Sequence, residues 1–143
     1  MATAPKRREP LTRRLHVLLV DDDEFVREAI AEGLVQLGYR VSVAIGGETM
    51  RQFLDTPDPV DLIVLDALMP GEPTVTLALH ARDRGIKLVV ISGSPDKMKE
   101  YQDKADQLLW KPFRVEELHR AIELAMASDT FGQRKEDPAR NSN

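Results

Sequence analysis

The sequence predicts an α/β fold, a doubly wound three-layer sandwich with a central parallel sheet and helices on both faces. Three observations lead there. Five short apolar runs alternate along the chain with five amphipathic segments of helical period. The central runs, VDLIVL at Val60–Leu65 and KLVVI at Lys87–Ile91, lack strict polar alternation, as strands covered on both faces do. Right-handed crossovers between such strands then leave few topologies.

Each element has its own local reason. Leu15–Val20 (LHVLLV) is an apolar run bounded by charges and reads as the first strand. Glu24–Leu37 is a helix that places Phe25, Ala29, Ile30, Leu34 and Leu37 at helical spacing, with Gly38 as its stop. Arg40–Ala44 is a short strand, and Glu48–Leu54 a short helix ending near Pro57. Val60–Leu65 is the third strand, Thr74–Asp83 a helix closed by Gly85, and Lys87–Ile91 the fourth strand. Pro95–Lys104 is a short helix and Gln107–Trp110 the fifth strand. Val115–Ala127 is the closing helix, with Leu118, Ile122, Leu124 and Ala125 facing inward. The folded unit is expected over 15–127. Residues 1–14 read as a flexible basic tail and 128–143 as a polar tail, with Phe131 its only large apolar residue and a candidate for one aromatic contact.

A chain of 143 residues that is 42% apolar suits one domain with one hydrophobic core. It contains no cysteine, which excludes disulfides, thiol catalysis and cysteine-ligated metal centres. No apolar run approaches the roughly 20 residues that cross a bilayer, and no secretion signal is present, so a cytoplasmic location is expected. The net charge is −4; the first fourteen residues contribute +4, which leaves −8 on the remainder. An acidic body with a short basic arm is a poor nucleic-acid binder through its main surface. The arm itself reads as a solvated tail, because Pro5 and Pro10 interrupt any helix there.

In a doubly wound sheet, reactive groups collect past the C-terminal ends of the strands. Here those ends carry Asp21-Asp22-Asp23, then Asp66, then Ser92-Gly93-Ser94, then Lys111-Pro112-Phe113. Parallel strands bring these groups to one edge. Crowded carboxylates repel one another unless a cation is present, and a hard ion such as Mg²⁺ prefers oxygen ligands. A carboxylate can also act as a nucleophile toward phosphorus, with an ammonium and a hydroxyl to receive the phosphoryl oxygens. Asp21–Asp23 read alone is equally a polar turn with a helix cap. Either Asp21 with Asp22 or Asp22 with Asp23 could be the metal-facing pair; the apolar run ending at Val20 favours the earlier one. Ser92 alone reads as a turn serine, and Lys111 alone as a surface lysine. His16 reads as a strand residue, His80 and His119 as helix-surface or half-buried residues, and none as a metal ligand.

Taken together, LLVDDD at Leu18–Asp23, LDALMPG at Leu65–Gly71, VISG at Val90–Gly93 and KPF at Lys111–Phe113 resemble, in order and spacing, the receiver domain of two-component response regulators. The resemblance covers about 15–127. It implies a flavodoxin-like sheet of strand order 2-1-3-4-5, and Asp66 as the aspartate that accepts a phosphoryl group. It also implies Asp22 as a direct Mg²⁺ ligand, Asp21 as one acting through water, and the backbone carbonyl of Leu68 as the third protein ligand. Ser92 matches the hydroxyl residue that binds the phosphoryl group, Gly93 the small residue beside it, and Lys111 the lysine that pairs with the acceptor. The family often has a cis bond at the position of Lys111-Pro112. The implied partners are a sensor histidine kinase or histidine phosphotransfer protein and a downstream protein. A monomer or weak homodimer is expected, with no nucleic acid and no membrane.

Departures from the family pattern are also legible. The usual aromatic three residues before the lysine is Leu108; Trp110, on the same side of the strand, is a candidate substitute. The intervals Asp66–Ser92 and Ser92–Lys111 are each a few residues short, which implies shortened third and fourth helices. Glu72-Pro73-Thr74 stands where a glycine usually opens the third helix, and Lys104 where one often precedes the fifth strand. Two other functions fit the pattern less well. An aspartate-nucleophile phosphatase wants a second carboxylate two residues after the nucleophile, and that position is Leu68. A phosphorylation-independent interaction module would not need the full set of acids, hydroxyl and lysine. The residues after Ala127 are too few for a DNA-binding output domain, so the chain is expected to act through protein contact, or to be the receiver portion of a longer polypeptide.

Overall fold

The computed structural model describes residues 14–68 and 74–128. Nearly all of both expected tails, Phe131, and the segment 69–73 lie outside the described residues. Strands β1 (His16–Val20), β2 (Arg40–Ala44), β3 (Leu62–Asp66), β4 (Lys87–Ser92) and β5 (Gln107–Trp110) alternate with helices α1 (Glu24–Gln36), α2 (Gly47–Leu54), α3 (Thr74–Asp83), α4 (Pro95–Tyr101) and α5 (Val115–Ala127). The strands form one parallel sheet in the order β2-β1-β3-β4-β5. This is the expected flavodoxin-like topology. The fourth helix is short, with seven residues, and α3 has ten.

The apolar runs divide by strand period, which explains their lack of polar alternation. Leu18, Val20, Ile63, Leu65, Leu88 and Val90 face α2, α3 and α4, where they meet Met50, Leu54, Leu77, Ala78, Ala81 and Tyr101. Val17, Leu19, Leu62, Val64, Val89 and Ile91 face α1 and α5, where they meet Ile30, Leu34, Leu118, Ala121, Ile122 and Ala125. Alternate side chains point to opposite faces, so both faces must be apolar when helices cover both. Each fully buried Leu or Ile adds roughly 1.5–3 kcal/mol of transfer free energy.

Local chemistry sets the helix ends. Asp23 caps α1 by accepting the Val26 N–H at 3.1 Å, and Gly38 follows at φ 101°, where a side chain would be strained. Ser94 caps α4 through the Lys97 N–H at 3.3 Å, with Pro95 in the first turn. At α5 the Glu117 carboxylate accepts the Arg114 N–H at 2.7 Å.

Several expected details differ. Phe25 and Ala29 do not face the core: Phe25 is 84% exposed and Ala29 exposed, while Ile30 and Leu34 are buried and Val26 half-buried. At Gly33 an added Cβ would meet Val115 Cγ2 at 2.4 Å, so α1 and α5 approach closely there. Gly33 continues the Phe25–Ala29 stripe, which meets α5 only at this C-terminal end, while Ile30 and Leu34 face the sheet. Leu124 is likewise outside, 42% exposed, because Ala121 and Ala125 let α5 lie close to the sheet on a neighbouring stripe. Strand β3 starts at Leu62 rather than Val60, since Asp61 turns its carboxylate to accept the His16 N–H at 2.8 Å. Helix α4 stops at Tyr101 rather than Lys104, because the Lys104 and Ala105 N–H groups both close onto the Tyr101 carbonyl.

His16 joins three segments at the end of the sheet away from the acidic residues. Its ring is buried, with Nδ1 2.8 Å from the Pro59 carbonyl and Nε2 2.8 Å from Ser42 Oγ. A carbonyl only accepts, so Nδ1 carries the proton and, in the neutral ring, Nε2 accepts from the Ser42 hydroxyl.

Candidate functional site

The C-terminal ends of β1, β3, β4 and β5 lie side by side, and each delivers one part of the site. Register pairs Val20 with Leu65, Asp66 with Ile91 and Ser92 with Trp110, so Asp21, Asp66, Ser92 and Lys111 emerge at one sheet edge. Carboxylate oxygens of Asp21, Asp22 and Asp66 all lie within 4.8 Å of one another. Asp21 and Asp66 are buried, and Asp22 is exposed at the rim. Asp23 turns away to cap α1 and also donates its N–H to Asp21 Oδ1 at 2.9 Å.

Asp66 is held from two directions. Its Oδ1 accepts the Leu68 N–H at 3.0 Å, and its Oδ2 lies 3.0 Å from Lys111 Nζ. The Lys111 side chain is one-third exposed, whereas that of Asp66 is nearly buried. The Lys111-Pro112 bond is cis. Ser92 is fully buried; its Oγ accepts the Ser94 N–H at 2.9 Å, and its carbonyl accepts the Lys111 N–H at 3.0 Å. At Gly93 an added Cβ would stand 3.7 Å from Lys111 Cβ, an ordinary contact. Leu68 is 53% exposed beside the site.

Burial is the largest influence on Asp21 and pushes its carboxyl up to about 6. The Asp23 N–H works against that shift, the nearby Asp66 charge adds to it, and Lys111 offsets part of it. Asp21 Oδ2 is buried with no hydrogen-bond partner among the described residues. A buried, unsatisfied carboxylate oxygen facing two further carboxylates fits a hard divalent cation. The all-oxygen donor set suits Mg²⁺.

Sequence reasoning missed the surroundings of this pocket. A cavity of about 490 Å³ lies beside it, lined by Val26, Ala29, Ile30, Lys111, Pro112 and Phe113. No periodicity argument separates a solvent-facing Phe25 from a core-facing one. The ring contact of Tyr39 with His119, with Tyr39 Oη 2.8 Å from His119 Nδ1, was equally silent in the sequence. Trp110 is 51% exposed at the end of the edge strand, and Leu108 packs part-buried against the α2–α4 side of the core.

Known proteins of the same kind bear on this geometry. The family model for the response regulator receiver domain matches residues 17–123. The transcriptional regulatory protein YrkP of Bacillus subtilis is 30% identical over 125 residues, which span 85% of this chain and 53% of that protein. The transcriptional regulator ycf27 of Cyanidium caldarium is 32% identical over 115 residues, spanning 78% of this chain and 46% of that one. The chain thus spans about half the length of the curated relatives it matches. Among solved structures, the signal receiver domain of an HD domain-containing protein from Pseudomonas fluorescens superposes with a TM-score of 0.72 at 24% identity, covering 82% of this chain and 98% of that one. A response regulator from Burkholderia pseudomallei, solved with a phosphorylated aspartic acid and a calcium ion, gives 0.66 at 23% identity over 87% of this chain and 74% of that one. At these identities the structural matches speak for the fold.

Proposed function

The chain belongs to the response regulator receiver domain family, and from that premise we propose that it accepts a phosphoryl group on Asp66 from a histidine kinase or a histidine phosphotransfer protein. The observation that carries this reading is the 3.0 Å contact between Lys111 Nζ and Asp66 Oδ2 at the edge of the Asp21–Asp22–Asp66 cluster. A carboxylate oxygen of Asp66 attacks phosphorus in line, an O–P bond forms, and the N–P bond of the donor phosphohistidine breaks. The donor imidazole leaves with the electron pair. The Lys111 ammonium then transfers its contact from the carboxylate to a phosphoryl oxygen. The Ser92 hydroxyl turns its proton to another phosphoryl oxygen and keeps a lone pair for the Ser94 N–H. Asp21, Asp22, Asp66 and the Leu68 carbonyl would hold Mg²⁺, which when bound neutralises the charge that gathers as phosphate meets carboxylate. Gly93 leaves the approach open.

The domain is not an enzyme on external substrates; the pocket assists its own phosphorylation and the hydrolysis that resets it. The added charge on Asp66 biases a two-state surface that a downstream protein reads. Ser92 is the link, since its Oγ binds the N–H of the residue that caps α4. The absence of any described helix long and apolar enough to cross a membrane is consistent with the proposed cytoplasmic setting.

The test uses a small phosphodonor, phosphoramidate, with Mg²⁺. Intact mass should show one phosphoryl group on the wild-type chain and none on Asp66→Ala. Equal labelling of the two proteins would refute the assignment.

A further inference from the structure

The two edges of the sheet differ. Strand β5 forms one edge with four residues, and Lys111-Pro112 follows it directly. A short strand ended by a charge and a proline offers little to a further strand. Strand β2 forms the other edge, with β1 as its paired neighbour. From Val41 to Gly47 (VSVAIGG) this edge carries no charge and no proline. Val43 is 39% exposed and Ile45, just past the strand, 58%. Val41 packs with the core under α1, so Val41 and Val43 form an apolar row on that face of the sheet. The backbone has a direction as well. The Arg40 N–H donates to the Leu15 carbonyl at 2.9 Å, and the Ala44 carbonyl accepts the Asp21 N–H at 3.1 Å. Alternate residues of a parallel strand bond one neighbour, so Arg40, Ser42 and Ala44 serve β1. The N–H and C=O groups of Val41 and Val43 point outward, where no described strand meets them.

We infer that this edge pairs with the same edge of a second copy of the chain, antiparallel about a two-fold axis near Val43, so that two sheets join into one. Outward amide and carbonyl groups at alternate residues are met by extended backbone. Charge selects the second copy as its source. The chain beyond residue 14 carries −8, so it admits its own copy only where acids do not face each other. Val41–Gly47 is such a stretch, and its two ends are opposite in sign. Arg40, 43% exposed while it holds Asp58, stands at one end, and the exposed Glu48 at the other. Antiparallel pairing brings the Arg40 end of each strand to the Glu48 end of its counterpart, whereas parallel pairing would set like against like. The symmetric contact uses both edges at once and stops at two copies. It is one strand long with few apolar side chains, which makes a small interface and a reversible dimer.

Sedimentation of the full chain from micromolar to millimolar concentration should show a reversible monomer–dimer equilibrium. Amide hydrogen exchange locates the contact. The Val41 and Val43 amides should exchange fast in dilute protein and slow by about tenfold or more in concentrated protein. The Ser42 and Ala44 amides should be protected at both concentrations, because β1 holds them. Val43→Lys sets two ammonium groups against each other near the axis and should weaken the dimer by about tenfold or more. Val43→Pro deletes one outward N–H and no bond to β1, and should act in the same direction. An amide spectrum unchanged away from β2 shows that each variant is folded, and Val43→Lys decides alone if the proline variant is not. A monomer at every concentration would overturn the inference. So would full protection of Val41 and Val43 in dilute protein, which would place another segment of the same chain, such as residues 1–13, on this edge. A dimer undiminished in Val43→Lys would place the contact elsewhere and overturn it equally.

Discussion

Replacing Asp21 with asparagine should make the metal-free protein more stable. The Asp21 carboxyl stands at about 6 in the folded protein, against 3.8 for the ordinary group, with burial the main cause. The folded state therefore binds the proton more tightly than the unfolded chain. Well below pH 3.8 the group is protonated in both states and costs nothing. As pH rises through the window from about 4 to 6 the unfolded chain loses its proton first, and the fold is progressively destabilised. Above that window the penalty is complete. At about 1.4 kcal/mol per pH unit it reaches roughly 3 kcal/mol. Asp21→Asn removes it: Oδ1 still accepts the Asp23 N–H, and no charge is buried. The assay is urea unfolding of both proteins in EDTA at pH 3.8, 5 and 7.5. The variant should be the more stable at pH 7.5 by about 1–3 kcal/mol, with the gap shrinking at pH 5 and closing near pH 3.8. Mg²⁺ at a hundredfold excess over its dissociation constant should stabilise the wild type by about 2.7 kcal/mol and the variant far less. A variant less stable than wild type at pH 7.5 without metal, or a gap that does not change with pH, would refute the reasoning.

Other substitutions separate the roles of neighbouring groups. Lys111→Ala removes the Asp66 partner without touching the acidic ligands; Mg²⁺ titration should still saturate, while labelling by phosphoramidate should slow, and unchanged labelling would remove the lysine from the reaction. Gly33→Ala drives a methyl into Val115 at 2.4 Å and should cost about 1–3 kcal/mol in denaturant unfolding, with most of it recovered in Gly33→Ala/Val115→Ala. His16→Phe leaves the Pro59 carbonyl and Ser42 hydroxyl without the ring and should destabilise by roughly 1–3 kcal/mol while leaving phosphoramidate labelling intact. Trp110 pairs with Ser92 across β4 and β5 and is half-exposed; Mg²⁺ with beryllium fluoride should shift its fluorescence, and an unchanged spectrum would deny it a reporting role.

The sheet was legible in the sequence because both of its faces are buried. Runs such as Leu62–Leu65 and Leu88–Ile91 have no polar partner positions, and that pattern admits few architectures. The site residues were legible for a related reason: each stands at the end of such a run, where a parallel sheet has only one edge to offer. Boundaries at Val60 and Lys104 were not legible. The first depends on a distant contact, Asp61 with His16, and the second on a local turn in which the Lys104 and Ala105 N–H groups share the Tyr101 carbonyl, a choice of backbone geometry that helical spacing does not reveal.

Periodicity and the order of four short segments were enough to determine a doubly wound sheet and the residue types at its reactive edge. Only the tertiary structure decided which way α1 is turned about its axis. Two overlapping stripes on that helix are both apolar enough to be the inner one, and intrinsic pattern cannot choose between them. The inner stripe is the one that carries Ile30 and Leu34 into the core, and at Gly33 the missing side chain lets Val115 of α5 approach. Val115 is eighty-two positions away in the chain, and contacts at that range, with the core around Ile30 and Leu34, lie beyond any local pattern; Phe25 faces solvent.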